Sequence, residues 1–332
     1  MYNYMRACVS FRKSVSVYLL ASYKKWILEA IIRESAGSLG IKLKVIFIPI
    51  SHKDYLNVRL ILTYIANKRS NKRIFFVNQN SYFKALVSKR LSFKPHLARV
   101  FFTHYSELDI SKKEYAQFLN LTEKIFTINT RDKNFLVNIG IDESKIEVVY
   151  GAVDRKIFYP MANWKKAQLF LKNPYILIVG DCKERKNPVL LLEVIKGNPK
   201  KRFIIHGRGW SKFIYAKNGI IPENLEIIDF EFKNQPKLMR EASVYMSLSR
   251  LEGGPYPTLE ALASGTPVIV TDTGWNSEIV NDKCGIVVPV SVQVAEIAKS
   301  LDYCFELKKK IWNSDLLNGK FVWSELGKKL FD

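Results

Sequence analysis

Residues 244–272 read VYMSLSRLEGGPYPTLEALASGTPVIVTD, and the fold class follows from how this stretch is punctuated. VYMSLS is a short, unbroken run of apolar and small residues, the pattern of a strand covered on both faces. RLEGGPY is a loop whose glycines permit unusual dihedrals and close approach of backbone to a ligand. Pro257 suits the first position of a helix, Gly265 suits the residue just past its end, and Pro267 prevents continuation. PVIVTD is then a second buried strand. Strand, loop, helix and strand in this order form a βαβ unit and predict a parallel sheet. Glu252 ends the strand-loop, and Glu260 is expected in the first helical turn, facing the same side. Free N–H groups of Thr258 and Leu259, with the positive end of the helix dipole, predict an anion site suited to phosphate. A carboxylate beside phosphate would repel it, so Glu260 is expected to face neutral hydroxyls such as a ribose diol.

The same alternation extends in both directions. YILIVG, RFIIHG and LEIIDF read as strands upstream of the quoted stretch, separated by helical segments such as NPVLLLEVIKG. Nearer the amino terminus VSVYLLAS, KLKVIFIPI, RIFFVNQ, ARVFFTH and KIFTIN read the same way. Between the two series, residues 150–174 lose periodicity and carry prolines at both ends, which marks a linker. The expectation is an α/β chain of two Rossmann-like domains with parallel sheets facing a central cleft. The amino-terminal, acceptor-side domain is placed at 1–155 and the nucleotide-sugar domain at 156–305. A helical tail, 306–332, is expected to pack back on the amino-terminal domain. The helical stretch VAEIAKSLDYCFELKKKIWNSDLL is read as the segment that returns across the junction. Ligands of open parallel sheets sit beyond the carboxyl ends of the strands, so the loops there are the candidate site.

Composition narrows the function. Of the 332 residues 48% are apolar and 25% charged, which is globular. No apolar run reaches the ~20 residues of a membrane-spanning helix. The opening MYNYMRACVSFRKSVSVYLLAS lacks a cleavage site and reads as a first strand. Cys8, Cys182, Cys284 and Cys304 are scattered, with neither a C-x-x-C pair nor zinc-ligand spacing, and are expected as reduced core residues of a cytoplasmic protein. The net charge is +21; the first hundred residues alone hold 19 Lys and Arg against Glu29, Glu34 and Asp54. Such asymmetry points to a polyanionic partner, although a solvated basic face needs none.

The residues around 252 also carry a resemblance. EGGPYPTLEALASGTPVIVTD resembles the E-x7-E segment of retaining GT-B fold glycosyltransferases, group 1, family 4. KIEVVYGAVDRKIFYP is similar to that family's interdomain signature, at Gly151, Val153, Asp154, Phe158 and Pro160. LIVGDCKERKNPVLLLEVI is similar to its diphosphate-binding loop, and GWNSEIV with Glu278 and CGIVVP with Gly285 follow in order. The resemblance implies that Glu252 contacts donor-sugar hydroxyls, that Glu260 binds the nucleotide ribose, and that Lys186 with Arg185 neutralises the diphosphate. It implies that His104, after strand RVFFTH, approaches the transferred sugar. Gly180, Lys183, Gly253, Gly254, Tyr256, Thr258 and Leu259 complete the donor-binding set. Three departures stand out. Asp181 replaces the arginine that usually follows Gly180, with Lys183 or Arg185 as substitutes; the amino-terminal glycine pair is missing near Ser22 to Trp26; and Pro255 stands where an aromatic is common.

The implied activity is transfer of a sugar from a nucleotide-diphosphate sugar to a glycan or lipid-linked acceptor, in cell-surface polysaccharide or lipopolysaccharide synthesis. With fixed cations and no D-x-D pair, metal-independent transfer is expected, with no cofactor. The acceptor is expected at an anionic membrane surface, which the enzyme meets peripherally through Lys68, Arg69, Lys72, Arg73, Lys89 and Arg90 of KRSNKR and SKRLSFK. A nucleotide-sugar epimerase or phosphorolytic enzyme on the same architecture is one alternative. A basic nucleic-acid-binding protein is another, but the chain has no helix-turn-helix, zinc-finger or RNP-type signature, so no nucleic-acid partner is expected. A dehydrogenase is disfavoured because no G-x-G-x-x-G follows the first strand.

Overall fold

A computed structural model of the chain describes residues 17–21, 27–41, 43–47, 74–76, 79, 82–83, 95–103 and 111–331. It divides into two compact units, one of Tyr2–Gly151 with Trp323–Asp332, the other of Ala152–Val322 (with Met1).

The amino-terminal unit carries strands β1 (Val17–Ala21), β2 (Leu43–Phe47), β3 (Ile74–Phe76), β4 (Ala98–Phe102), β5 (Lys124–Thr127) and β6 (Ile146–Val148), in the order β2-β1-β3-β4-β5-β6. Every pairing is parallel. β3 and β4 are buried at every residue, as expected of a sheet with both faces covered. Phe76, Val100 and Phe102 pack with Tyr82, Tyr115 and Leu119. Phe75 stacks on Phe126 at 5.9 Å and meets Phe331 at 5.2 Å. Phe331 ends the helix Trp323–Phe331, which Arg99 anchors by donating to the Leu330 carbonyl and pairing with Glu123 at 2.9 Å. A Cβ at Gly327 would lie 2.7 Å from the Ser35 carbonyl, so only glycine lets this helix sit against Ile27–Ser38.

The other unit carries β7 (Tyr175–Val179), β8 (Arg202–His206), β9 (Leu225–Ile228), β10 (Val244–Ser247), β11 (Val268–Thr271) and β12 (Gly285–Val288), ordered β12-β11-β10-β7-β8-β9 and parallel throughout. Numbered from β7, this is the doubly wound 3-2-1-4-5-6 order. Its core joins Ile176, Ile178, Phe203, Val244, Met246 and Ile269 to Leu191 and Ile195 on one helix and Ile297, Leu301 and Cys304 on another.

Two segments depart from expectation. Residues 150–174 are not a loose linker: from Ala152 onward they belong to the carboxy-terminal unit, burying Ala152, Val153, Phe158 and Met161 and forming the helix Trp164–Lys172. Flanking prolines end structure only locally. The helix Val294–Ile311 contributes to the carboxy-terminal core, and it is the later Trp323–Phe331 that belongs to the amino-terminal unit. The first has its apolar residues at Ile297, Leu301 and Cys304, facing β10 and β11, whereas the second has Phe331 to fill the space beside Phe75.

Candidate active site

The strand order puts β7 beside β10 at the centre of the carboxy-terminal sheet, with β8 and β9 to one side and β11 and β12 to the other. Connections leaving β7 and β10 therefore diverge, and their carboxyl ends border the crevice where doubly wound sheets bind ligands. Both carry sequence-predicted site residues: 180–187 after β7 and 248–255 after β10.

The first loop is shaped by backbone constraints. Gly180 has φ +124°, which disfavours any side chain. Its N–H donates to the His206 carbonyl at 3.1 Å, and its own carbonyl accepts from the Trp210 indole at 2.8 Å. Gly207 makes room, since a Cβ there would lie 2.0 Å from that carbonyl oxygen. The turn Glu184–Lys186 follows, closed by Asn187 at φ 55° before Pro188 opens the helix Pro188–Gly197. This turn brings Arg185 and Lys186 to Glu252. Lys186 Nζ lies 2.6 Å from Glu252 Oε1 and Arg185 Nη1 lies 2.8 Å from Oε2, while the Ser249 hydroxyl donates to Oε1 at 2.8 Å. The Arg250 N–H, donating to the Arg185 carbonyl at 2.8 Å, ties the two loops together.

Burial alone would raise the Glu252 carboxyl, but Lys186, then Arg185 and the Ser249 hydroxyl outweigh it and hold the group below the usual carboxylate range. It is therefore ionised at neutral pH. Two cations around one carboxylate leave a net positive cluster. An ammonium has three donors and a guanidinium five, so both retain donors for an anion after meeting Glu252.

The glycines of the second loop serve close packing. A Cβ at Gly254 would lie 2.3 Å from the Trp275 ring, and one at Gly274, whose φ is +56°, would lie 2.4 Å from the Gly253 carbonyl oxygen. Loop 252–255 is thus seated on the connection that follows β11, and Tyr256 meets Trp275 edge-on at 5.6 Å.

The helix begins at Tyr256, one residue before Pro257, with Pro255 as its cap. The Thr258 N–H is not free: it donates to the Pro255 carbonyl at 3.0 Å, and the Thr258 hydroxyl donates to Asn276 at 3.1 Å. Thr258 and Leu259 are both fully buried, so the anion site expected at their amides is corrected. Glu260 falls at the fifth helical residue, beyond the first turn, because the helix starts early. It is buried and accepts from the Gln235 side-chain amide. Burial, offset only by that hydrogen bond, pushes its carboxyl up to about 8. Gly265, at φ +69°, follows the C-cap Ser264 as the punctuation predicts.

Lys183 stands exposed at the start of the Glu184–Lys186 turn. Asp181 accepts from the Arg208 backbone at 3.1 Å and from its side chain at 3.4 Å, so Arg208 supplies a cation beside Asp181 that the sequence reading missed. Cys182 is half-buried in this loop and packs against the core, Cys284 and Cys304 are buried, and Cys8 lies outside the described residues. Gln235 and Ser249 were also missed: Ser249 is three residues from Glu252 within one loop and was open to recognition, whereas Gln235 gives no local signal. His104, Lys68, Arg69, Lys72, Arg73, Lys89 and Arg90 lie outside the described residues. Among those described, no helix is long and apolar enough to cross a membrane.

Two doubly wound parallel units, the second with a cation–carboxylate cluster at its switch point, define the GT-B architecture. Residues 161–312 match the family model of glycosyl transferases group 1. The chain is 27% identical over 178 residues to a UDP-Gal:alpha-D-GlcNAc-diphosphoundecaprenol alpha-1,3-galactosyltransferase of Escherichia coli, covering 49% of this chain and 46% of that protein. It is 30% identical over 161 residues to the O-antigen biosynthesis glycosyltransferase WbnH of Escherichia coli, covering 48% and 45%. The chain thus spans about half the length of the curated relatives it matches. Its fold is that of Anabaena Alr3699/HepE, solved in complex with UDP-glucose, with TM-score 0.72, 14% identity, and 95% and 98% of the two chains covered.

Proposed function

We propose that the chain is a retaining, metal-independent glycosyltransferase that moves a sugar from a nucleotide-diphosphate sugar to a lipid-linked glycan in lipopolysaccharide or O-antigen synthesis. The observation that carries this reading is the convergence of Arg185, Lys186 and Glu252 at the β7/β10 switch point. The departing diphosphate gathers negative charge as its bond to the anomeric carbon breaks, and two fixed cations at that place stabilise it without reorganising. Glu252, ionised and positioned by three donors, accepts hydrogen bonds from sugar hydroxyls. Glu260 meets the ribose diol. The acceptor hydroxyl attacks the anomeric carbon from the face the diphosphate vacates, and a diphosphate oxygen takes its proton, so the anomeric configuration is kept.

The lipid-linked acceptor is favoured by the name of the first relative, which acts on a diphosphoundecaprenol substrate. It is favoured also by the basic first hundred residues, which suit an anionic bilayer better than nucleic acid in a chain built for donor chemistry. The test is transfer from radiolabelled UDP-galactose, UDP-N-acetylglucosamine and GDP-mannose to a polyprenyl-diphosphate sugar, with and without EDTA. Labelled lipid formed equally in both conditions, carrying the donor's anomeric configuration by proton NMR, supports the reading. Donor conversion without any transfer points to an epimerase or phosphorolytic enzyme, and loss of transfer in EDTA with recovery on adding manganese contradicts metal independence.

A further inference from the structure

One buried side chain has no part in the chemistry above. Lys308 lies near the end of the helix Val294–Ile311 and is 2% exposed. Its ammonium reaches the Gly265 carbonyl at 2.8 Å, the Thr266 hydroxyl at 2.9 Å and, at a longer 3.5 Å, the Arg240 carbonyl. The Thr266 hydroxyl in turn donates to the Met239 carbonyl at 2.6 Å. Among the described residues no carboxylate pairs with it. All these acceptors lie at the carboxyl ends of two helices, Gln235–Glu241 and Tyr256–Ala263, where unpaired carbonyls and the negative end of the dipole favour a cation. The same two helices are joined a second time where the Gln235 amide donates to Glu260.

We propose that Lys308 is a positioning residue for the nucleotide site, locking these two helices together so that the Gln235–Glu260 pair presents Glu260 to the ribose. The inference rests on the ribose reading of Glu260. Two arguments support it. A buried ammonium is expensive, and an apolar side chain of similar length would serve packing alone as well or better. The cost is visible in the ammonium itself, which burial brings down to about 7. The lever is also short: Gly265 follows Glu260 by five residues, with the Ser264 amide bonded to the Glu260 carbonyl at 3.1 Å between them. A shift at Gly265 is therefore delivered to Glu260.

The experiment measures UDP dissociation constants by calorimetry (GDP in place of UDP throughout if the wild type binds only GDP), melting temperatures, and donor KM and kcat. It compares the wild type with Lys308→Met, Lys308→Arg, Thr266→Val and Glu260→Gln, with binding read well below each variant's melting temperature. Lys308→Met is expected to weaken UDP roughly tenfold, since small displacements of a binding group are costly, and to raise donor KM more than it lowers kcat. Lys308→Arg is expected to recover part of the affinity, and Thr266→Val to weaken UDP in the same direction by less. If both Lys308→Met and Thr266→Val melt earlier yet bind UDP as the wild type does, the lysine is a packing element and the proposal is overturned. If Lys308→Met does not fold, Thr266→Val decides, and unchanged UDP affinity in it overturns the proposal. Glu260→Gln binding UDP like the wild type, or a wild type that binds neither UDP nor GDP, removes the ribose reading and the inference with it.

Discussion

Replacing Lys186 by methionine separates what this side chain does for stability from what it does for turnover. Its ammonium lies 2.6 Å from Glu252, and the two side chains are 12% and 9% exposed. Breaking a buried pair by removing one partner costs about 3–5 kcal/mol, because the other charge stays buried. Here Arg185 and Ser249 still hold Glu252, but the Arg185 side chain is 45% exposed and its pairing is weakened by solvent. The expected loss is therefore smaller, about 2 kcal/mol, or roughly 4–8 °C in melting temperature for a unit of this size. Adding Glu252→Gln removes the stranded charge, so the double variant is expected to regain most of that stability, with a coupling of about 1–2 kcal/mol. Turnover should behave differently. The leaving diphosphate loses a cation in the single and the double variant alike, at about 2–4 kcal/mol of barrier, or roughly 30- to 1000-fold in rate. Urea denaturation and donor-saturated transfer rates on the four proteins of this cycle make the comparison. Additive stability losses, or turnover that recovers with stability in the double variant, would refute the reasoning.

Glu260→Gln is expected to change how stability depends on pH. With its carboxyl pushed up to about 8, against roughly 4.3 in an unfolded chain, the folded protein holds a proton that the unfolded chain has released. Stability from this group is full below about pH 4 and declines as pH rises toward 8; the variant should gain melting temperature relative to wild type across that range, and a constant difference counts against the assignment. Gly254→Ala drives a methyl into the Trp275 ring, so a loss of about 1–3 kcal/mol and weaker UDP binding are expected; wild-type UDP affinity in calorimetry would show that the loop does not need this seating. Phe331→Ala opens a cavity beside Phe75, with an expected cost of about 3 kcal/mol in thermal unfolding, and an unchanged transition would show that the final helix contributes little to the amino-terminal unit.

How much of this was legible depended on the range of the forces involved. Strands β7, β10 and β11 announce themselves because both faces are buried, and the Gly265 stop is a backbone effect confined to one residue. The helix start was misplaced by one residue because Pro255, not Tyr256, supplies the cap. Lys186, Arg185 and Glu252 were expected to share a site, but not their direct pairing, which joins loops 66 and 67 residues apart. Gln235 is 25 residues from Glu260, Arg208 is 27 from Asp181, and Lys308 is 42 from Thr266. Such partners depend on strand order, and no local pattern encodes them. The helix Trp164–Lys172 was hidden by the prolines on either side, Pro160 and Pro174.

The central claim is that the Lys186–Arg185–Glu252 cluster is the donor site, and a crystal structure with UDP-galactose bound tests it most directly. The account predicts the diphosphate within hydrogen-bond reach of Lys186 and Arg185, Glu252 facing sugar hydroxyls, and Glu260 facing the ribose. A nucleotide seated away from the β7/β10 switch point, with the Lys186–Glu252 pair untouched, would contradict it.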